Sequence, residues 1–118
     1  MEKKYFEGIG RRKRSTSRVR IYEGDSASSV NGKALNLYFS GVKDIEKILC
    51  RPLIVVGLEK KYYFTATVNG GGSTGQVEAI RLGLARAIYT MNAELKSVLR
   101  KEKLVSRDPR EVERKKYN

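Results

Sequence analysis

Residues 8–17 read Gly8-Ile9-Gly10-Arg11-Arg12-Lys13-Arg14-Ser15-Thr16-Ser17. Four consecutive cations, Arg11 to Arg14, cannot share a folded face without an anion nearby. The flanking glycines and small hydroxyl side chains let the backbone come close to phosphate oxygens. A short basic run can also serve as a localisation signal, but this one continues into an alternating segment, which argues that it belongs to the fold. A second constellation is Asn69-Gly70-Gly71-Gly72-Ser73-Thr74-Gly75-Gln76. Its glycines permit sharp turns and close backbone approach, and Ser73 with Gln76 has the spacing of a capping box that opens a helix. Amides exposed at such a helix start favour an anion. A tight strand-to-helix turn without a ligand fits the same residues. Gly70, Gly72 and Gly75 also match G-x-G-x-x-G, but a dinucleotide site needs a second parallel strand after the helix. Here another helical, basic segment follows, and the Gly-Lys-Ser/Thr of a P-loop is absent. The third constellation, residues 107–117, interleaves Arg107, Arg110, Arg114, Lys115 and Lys116 with acids at pairing distance. Its composition suits a partly helical, solvent-exposed tail as well as an anion-binding arm.

Charge ties these segments together. Of 118 residues with a formal net charge of +12, the first twenty carry eight Lys and Arg against two acids, and residues 95–118 carry nine against four. The middle holds eight against seven. A near-neutral body with cationic ends is the layout of a protein that meets a polyanion, and neutralised phosphates release counterions that drive association. A solvated basic surface kept soluble by repulsion is the plainer alternative. The ends themselves are expected to be disordered alone and ordered by that polyanion, because their apolar content does not offset chain entropy. Tyr5, Tyr22 or Tyr117 could stack on unpaired bases there.

Several classes are excluded. There is no histidine and one cysteine, Cys50. Zinc sites of the usual ligand sets and Ser-His or Cys-His pairs are therefore ruled out. Cys50 sits among Ile48, Leu49 and Leu53, as a buried small hydrophobe does. A lone cysteine forms no internal disulfide, which fits a reducing compartment. No apolar run reaches the length of a membrane span, and no signal-peptide core follows Met1. No cofactor is expected.

The elements that must position these residues form one domain over residues 1–106, with a basic extension over 107–118. Ser17 to Tyr22 alternates as a half-buried strand, with Arg18, Arg20 and Tyr22 outward. Asn31-Gly32 marks a turn. Residues 34–39 suit a short helix, and Val42, Ile45, Ile48 and Leu49 a second, ended by Pro52. Leu53 to Val56 reads as a buried strand. Tyr62 to Val68 is the clearest strand. Residues 74–91 form the longest helix, with Val77, Ile80, Leu84, Ala87, Ile88 and Met91 as its apolar stripe. A last helix follows the Asn92 cap, with Leu95, Val98 and Leu99 inward. The fold class is α+β, with helices on one face of a sheet.

Gly10-Arg11-Arg12-Lys13, Val30-Asn31-Gly32, Tyr38-Phe39, Gly70-Gly71-Gly72 with Gly75-Gln76, Ala79-Ile80-Arg81, Arg107-Asp108 and Val112-Glu113-Arg114-Lys115-Lys116 occur in this order. In order and spacing, from about Tyr5 to Lys116, the chain resembles the small-subunit ribosomal protein S9 family of bacterial and organellar type. The resemblance implies a two-layer domain of the ribosomal protein S5 domain 2 type, with a left-handed strand-helix-strand crossover against the usual rule. It implies no catalysis, but binding to ribosomal RNA in the head of the small subunit beside neighbouring head proteins. The expected contacts are Gly10, Arg11, Arg12, Lys13 and Arg14, then Arg18 and Arg20 of the strand. Gly70, Gly71, Gly72, Gln76 and Arg81 follow, and finally Arg107, Arg110, Arg114, Lys115 and Lys116. The implied location is a ribosome in the cytoplasm, or equally one in an organelle. Family members continue past Glu-Arg-Lys-Lys with a longer basic tail that reaches transfer RNA in the peptidyl site. This sequence stops at Asn118: either the protein is naturally short or a longer tail follows, and the second is the expectation. Two other classes are compatible with the residues alone. One is a phosphate-binding enzyme using the glycine turn, which nucleotide titration would reveal. The other is a free nucleic-acid chaperone, which co-sedimentation with ribosomal subunits would separate.

Overall fold

A computed structural model describes residues 4–24 and 26–101. Strands β1 (Phe6–Arg12) and β2 (Ser15–Glu23) form an antiparallel hairpin. A small hairpin of β3 (Ser29–Val30) and β4 (Lys33–Ala34) follows, then helices α1 (Leu35–Tyr38), α2 (Ile45–Leu49) and α3 (Arg51–Val55). Strand β5 (Tyr62–Asn69) leads into helix α4 (Ser73–Met91), and a 3-10 turn, Ala93–Leu95, leads into α5 (Lys96–Lys101). The sheet order is β1-β2-β5-β3-β4; β5 pairs antiparallel with β2 and parallel with β3. This is a two-layer α+β domain of the expected type.

Period-two burial explains β2 and β5. Val19 and Ile21 face the core beside Phe64, Ala66 and Val68, and α4 lays Ile80, Leu84 and Ile88 against them. Leu35, Phe39, Ile45, Leu49, Leu53 and Leu99 close the core from the other helices. On α4 the buried stripe is broader than the large apolar residues, because Gly75, Ala79, Gly83 and Ala85 are buried too.

Four expectations change. First, the basic N-terminal segment belongs to the sheet rather than being an arm: all seven residues of β1 pair in register with β2, from Phe6 opposite Ile21 to Arg12 opposite Ser15. Its buried residues are Gly8 and Gly10, so what docks on α4 is backbone, and counting apolar side chains does not reveal it. Second, Leu53 lies in helix α3, not a strand. Pro52 falls in the first helical turn, where its missing N–H and fixed φ are favourable. Pro52 and Leu53 turn inward while Ile54 is 39% exposed, which suits a short helix; a brief apolar run does not separate the two readings. Third, α4 has Gly72 as its N-cap, without a side-chain cap bond, so Ser73 and Gln76 form no capping box. Fourth, Leu99 is buried in α5 but Val98 is 38% exposed. Asn92 does cap, accepting from the Glu94 amide at 3.1 Å.

Candidate nucleic-acid interface

Two segments far apart in sequence meet at one end of the sheet. Lys13 and Arg14 form the two-residue turn between β1 and β2, with Lys13 at φ 58°, and Arg11, Arg12, Lys13 and Arg14 are all exposed. Thr16 pairs with Asn69, which puts the glycine run beside this tip. Ser15 Oγ donates to the Gly70 carbonyl at 2.9 Å. Gly70 and Gly71 have φ of 81° and 65°. A Cβ on Gly70 would run into the Arg14 carbonyl, and one on Gly71 into Ser15 Oγ, so turn and hairpin tip are packed backbone to backbone. Gly72, by contrast, has open space where a Cβ would stand.

Helix α4 begins there as well. The exposed Ser73 and Thr74 and the buried Gly75 are its first residues. Their amides lack intrahelical partners and carry the positive end of a 19-residue helix dipole. A hydrogen-bond relay fixes the arrangement. Gln76 Nε2 donates to the Gly70 carbonyl at 3.1 Å, Tyr38 Oη donates to Gln76 Oε1 at 3.1 Å, and Asn31 Nδ2 donates to Tyr38 Oη at 3.2 Å. Asn31 in turn grips β5, accepting from the Val68 amide at 2.9 Å and donating to its carbonyl at 3.0 Å.

The expected site residues therefore fall into several groups. Arg11, Arg12, Lys13 and Arg14 converge with Gly70, Gly71 and Gly72 at the tip. Arg12 pairs with Glu78 of α4, an exposed contact of small energetic weight. Gln76 spends its amide within the protein, holding the turn. Gly10 lies on the inner face against α4. Arg18 and Arg20 project from the opposite, helix-free face, each 3.3 Å from Glu7 Oε2. Bonding to Glu7, then to Tyr22, raises the Arg20 pKa above its ordinary value. Arg81 stands about 12 Å along α4 from the tip, at ~1.5 Å per residue, half-buried, with its Nε unpartnered. Arg107, Arg110, Arg114, Lys115 and Lys116 lie outside the described residues. Sequence reasoning did not find the supporting roles of Ser15, Asn31 and Tyr38, nor Glu7; only the β1–β2 register, which β1 alone defines, could have supplied Glu7.

Nucleotide chemistry of the Rossmann kind has no frame here. After α4 the described chain enters a 3-10 turn and α5, not a parallel strand. Among the described residues no cluster of His, Cys, Asp or Glu could hold a metal ion. Burial, with a smaller contribution from Glu46, pushes the Cys50 thiol up to about 11, so it is a poor nucleophile. No described helix is long and apolar enough to cross a membrane.

A cationic hairpin tip beside a glycine turn, on a small two-layer α+β body, is a surface of the class that suits a polyanion. The family model described as Ribosomal protein S9/S16 matches residues 10–118. The chain is 42% identical over 117 residues to small ribosomal subunit protein uS9 of Desulfovibrio desulfuricans, covering 99% of this chain and 89% of that protein. It is 49% identical over 112 residues to the protein of the same name from Cytophaga hutchinsonii (95% and 87%) and 45% identical over 115 residues to that from Thermotoga neapolitana (95% and 85%). The chain belongs to the ribosomal protein S9 family, whose members are structural, non-enzymatic components of the ribosome.

Proposed function

We propose that the chain is a structural constituent of the small ribosomal subunit, working in the cytoplasm, that binds ribosomal RNA in the subunit head among neighbouring head proteins. The observation that carries this reading is the convergence of Arg11, Arg12, Lys13 and Arg14 with the exposed Gly70–Gly72 turn and the start of α4. Cations neutralise phosphates while backbone amides reach phosphate and sugar oxygens, which fixes register on RNA without reading sequence. Because β1 is part of the sheet, substitution tests this better than truncation. Changing all four cations to Gln should flatten the slope of log affinity against log salt by about 3, at ~0.7–0.9 per phosphate contact, for a head-domain ribosomal RNA fragment. The melting temperature should barely move. An unchanged slope would refute the reading.

The basic extension 107–118 contributes further contacts through Arg107, Arg110, Arg114, Lys115 and Lys116 and directs the chain toward transfer RNA in the peptidyl site. The support is charge: five cations against three acids over residues 107–118. Deleting 107–118 should leave thermal unfolding nearly unchanged and weaken RNA binding. Affinity equal to that of the full chain would remove the extension from the interface.

A further inference from the structure

The face of the sheet opposite α4 carries a second arrangement. Along β2, Thr16, Arg18, Arg20 and Tyr22 alternate outward, opposite Thr65, Thr67 and Asn69 of β5. Thr16, Ser17, Arg18, Arg20, Thr65, Thr67 and Asn69 line an open groove of about 320 Å³, and Tyr22 stands beyond its end. At the end remote from the basic tip, three tyrosines gather. Tyr22 stacks on Tyr63, its cross-strand partner, with ring centroids 5.4 Å apart and planes 17° apart. Tyr5 leans on Tyr22 at 5.7 Å and is 43% exposed, and the Arg20 guanidinium sits 4.5 Å from the Tyr5 ring centre. Glu7 bridges Arg18 and Arg20, which aligns them and leaves a positive balance, to which Arg11 on the same face adds.

These tyrosines stand outside the fully buried core, on the sheet face that no described helix covers. Aromatic rings and arginine planes on an uncovered strand are what unpaired bases stack upon, and the bases of a duplex are not available in that way. Charge decides the occupant: Glu7 is outnumbered by Arg11, Arg18 and Arg20, the groove's other side chains carry hydroxyls and an amide, and Ile9 is the one exposed aliphatic residue beside them on β1. We propose that this face is a second RNA site, which takes a single-stranded segment with bases stacked at Tyr5 and Tyr22 and phosphates toward Arg18 and Arg11. It rests on the ribosomal-RNA reading above. The basic tip at Arg14 lies eight residues from Tyr22, about 27 Å at ~3.4 Å per residue, far enough for one RNA to occupy tip and tyrosine cluster with different parts.

The test uses the full chain with two probes: an oligouridylate of about ten nucleotides, within the site size of such platforms, and a folded head-domain ribosomal RNA fragment. The chain has no tryptophan, so tyrosine emission reports the stacking directly. Tyr5→Leu with Tyr22→Leu should weaken oligouridylate binding about tenfold or more and abolish the quenching of tyrosine emission. Tyr5→Phe with Tyr22→Phe should bind like the wild type, which separates ring stacking from loss of fold. Substituting Arg11 to Arg14 by Gln should weaken the folded fragment more than the oligonucleotide. Leucine variants that bind oligouridylate as the wild type does would overturn the platform while leaving the tip's role intact. Equal loss in the phenylalanine variants would overturn stacking. Tyrosines protected from iodination in assembled subunits, without oligonucleotide binding, would assign the face to a protein neighbour instead. A wild-type chain that binds neither RNA would overturn both this site and the proposed function.

Discussion

Gly10→Ala is expected to lower the melting temperature by about 12–24 °C, from a loss of ~3 kcal/mol at ~4–8 °C per kcal/mol for a domain of this size. A Cβ there would collide with the Ala79 carbonyl and the Gly83 amide nitrogen, both backbone of α4. Gly8 is in the same position against the Gly83 carbonyl and the Ala87 nitrogen. From the helix side, a Cβ on Gly83 would stand 2.9 Å from both Ser17 Oγ and Val19 Cγ2, and 3.2 Å from the Gly10 nitrogen. No side chain can swing away to relieve the clashes at Gly8 and Gly10, so β1 must lift off the helix. That lift would strain Ser17, whose buried hydroxyl donates to the Ala79 carbonyl at 2.7 Å, and Arg86, which donates to the Ile9 carbonyl at 2.7 Å. Gly72→Ala is the control, since nothing lies within 4 Å of a Cβ there and its φ is −97°. Circular dichroism melts decide it: Gly10→Ala within about 2 °C of the wild type would show that the seam yields without cost.

This seam marks where the sequence stopped being legible. β2 and β5 announce themselves because large apolar residues alternate with polar ones, and α4 because its stripe repeats at helical spacing. β1 offers no such contrast. Its buried positions are Gly8 and Gly10, and its exposed ones are Phe6, Ile9, Arg11 and Arg12, of mixed character. A strand held by close backbone approach leaves only glycines in the sequence, which read equally well as turn punctuation. The α3 segment failed for a different reason. A four-residue apolar run is compatible with helix or strand, and Pro52 suits the end of one helix as well as the first turn of the next, which is where it lies. At the candidate site, the basic run and the glycine turn were both visible as chemistry. Their meeting was not, because it depends on the Thr16–Asn69 register across 53 residues of chain. Gln76 was legible as belonging to the turn, but its bonds run inward to Gly70 and Tyr38.

Asn31→Gly is expected to cost about 2–4 kcal/mol, because it strands two partly buried backbone groups at ~1–3 kcal/mol each. Asn31 and Gly32 form the turn between β3 and β4 with φ of 51° and 81°, a combination that suits a two-residue hairpin. Glycine keeps that backbone, so the loss isolates the side chain. The parallel β3–β5 ladder ends at Val30 opposite Ala66. The Asn31 carboxamide then stands in for one more strand residue, bonding both the amide and the carbonyl of Val68. Its amide also holds Tyr38, and through Tyr38 and Gln76 the tension reaches the Gly70 carbonyl. Two readouts follow from this geometry. Hydrogen exchange at the Val68 amide should accelerate far more than at Ile21 or Phe64, deeper in the same sheet. RNA affinity should also fall at temperatures where the variant is still fully folded, because the turn beside Arg14 is no longer held from that side. Asn31→Asp keeps the acceptor for the Val68 amide but sets an anion against the Val68 carbonyl, so it should be at least as damaging as glycine. Wild-type exchange at Val68 in Asn31→Gly would mean that the carboxamide adds nothing to the ladder. Wild-type RNA affinity alongside accelerated exchange would mean that the relay to Gly70 transmits nothing to the binding surface.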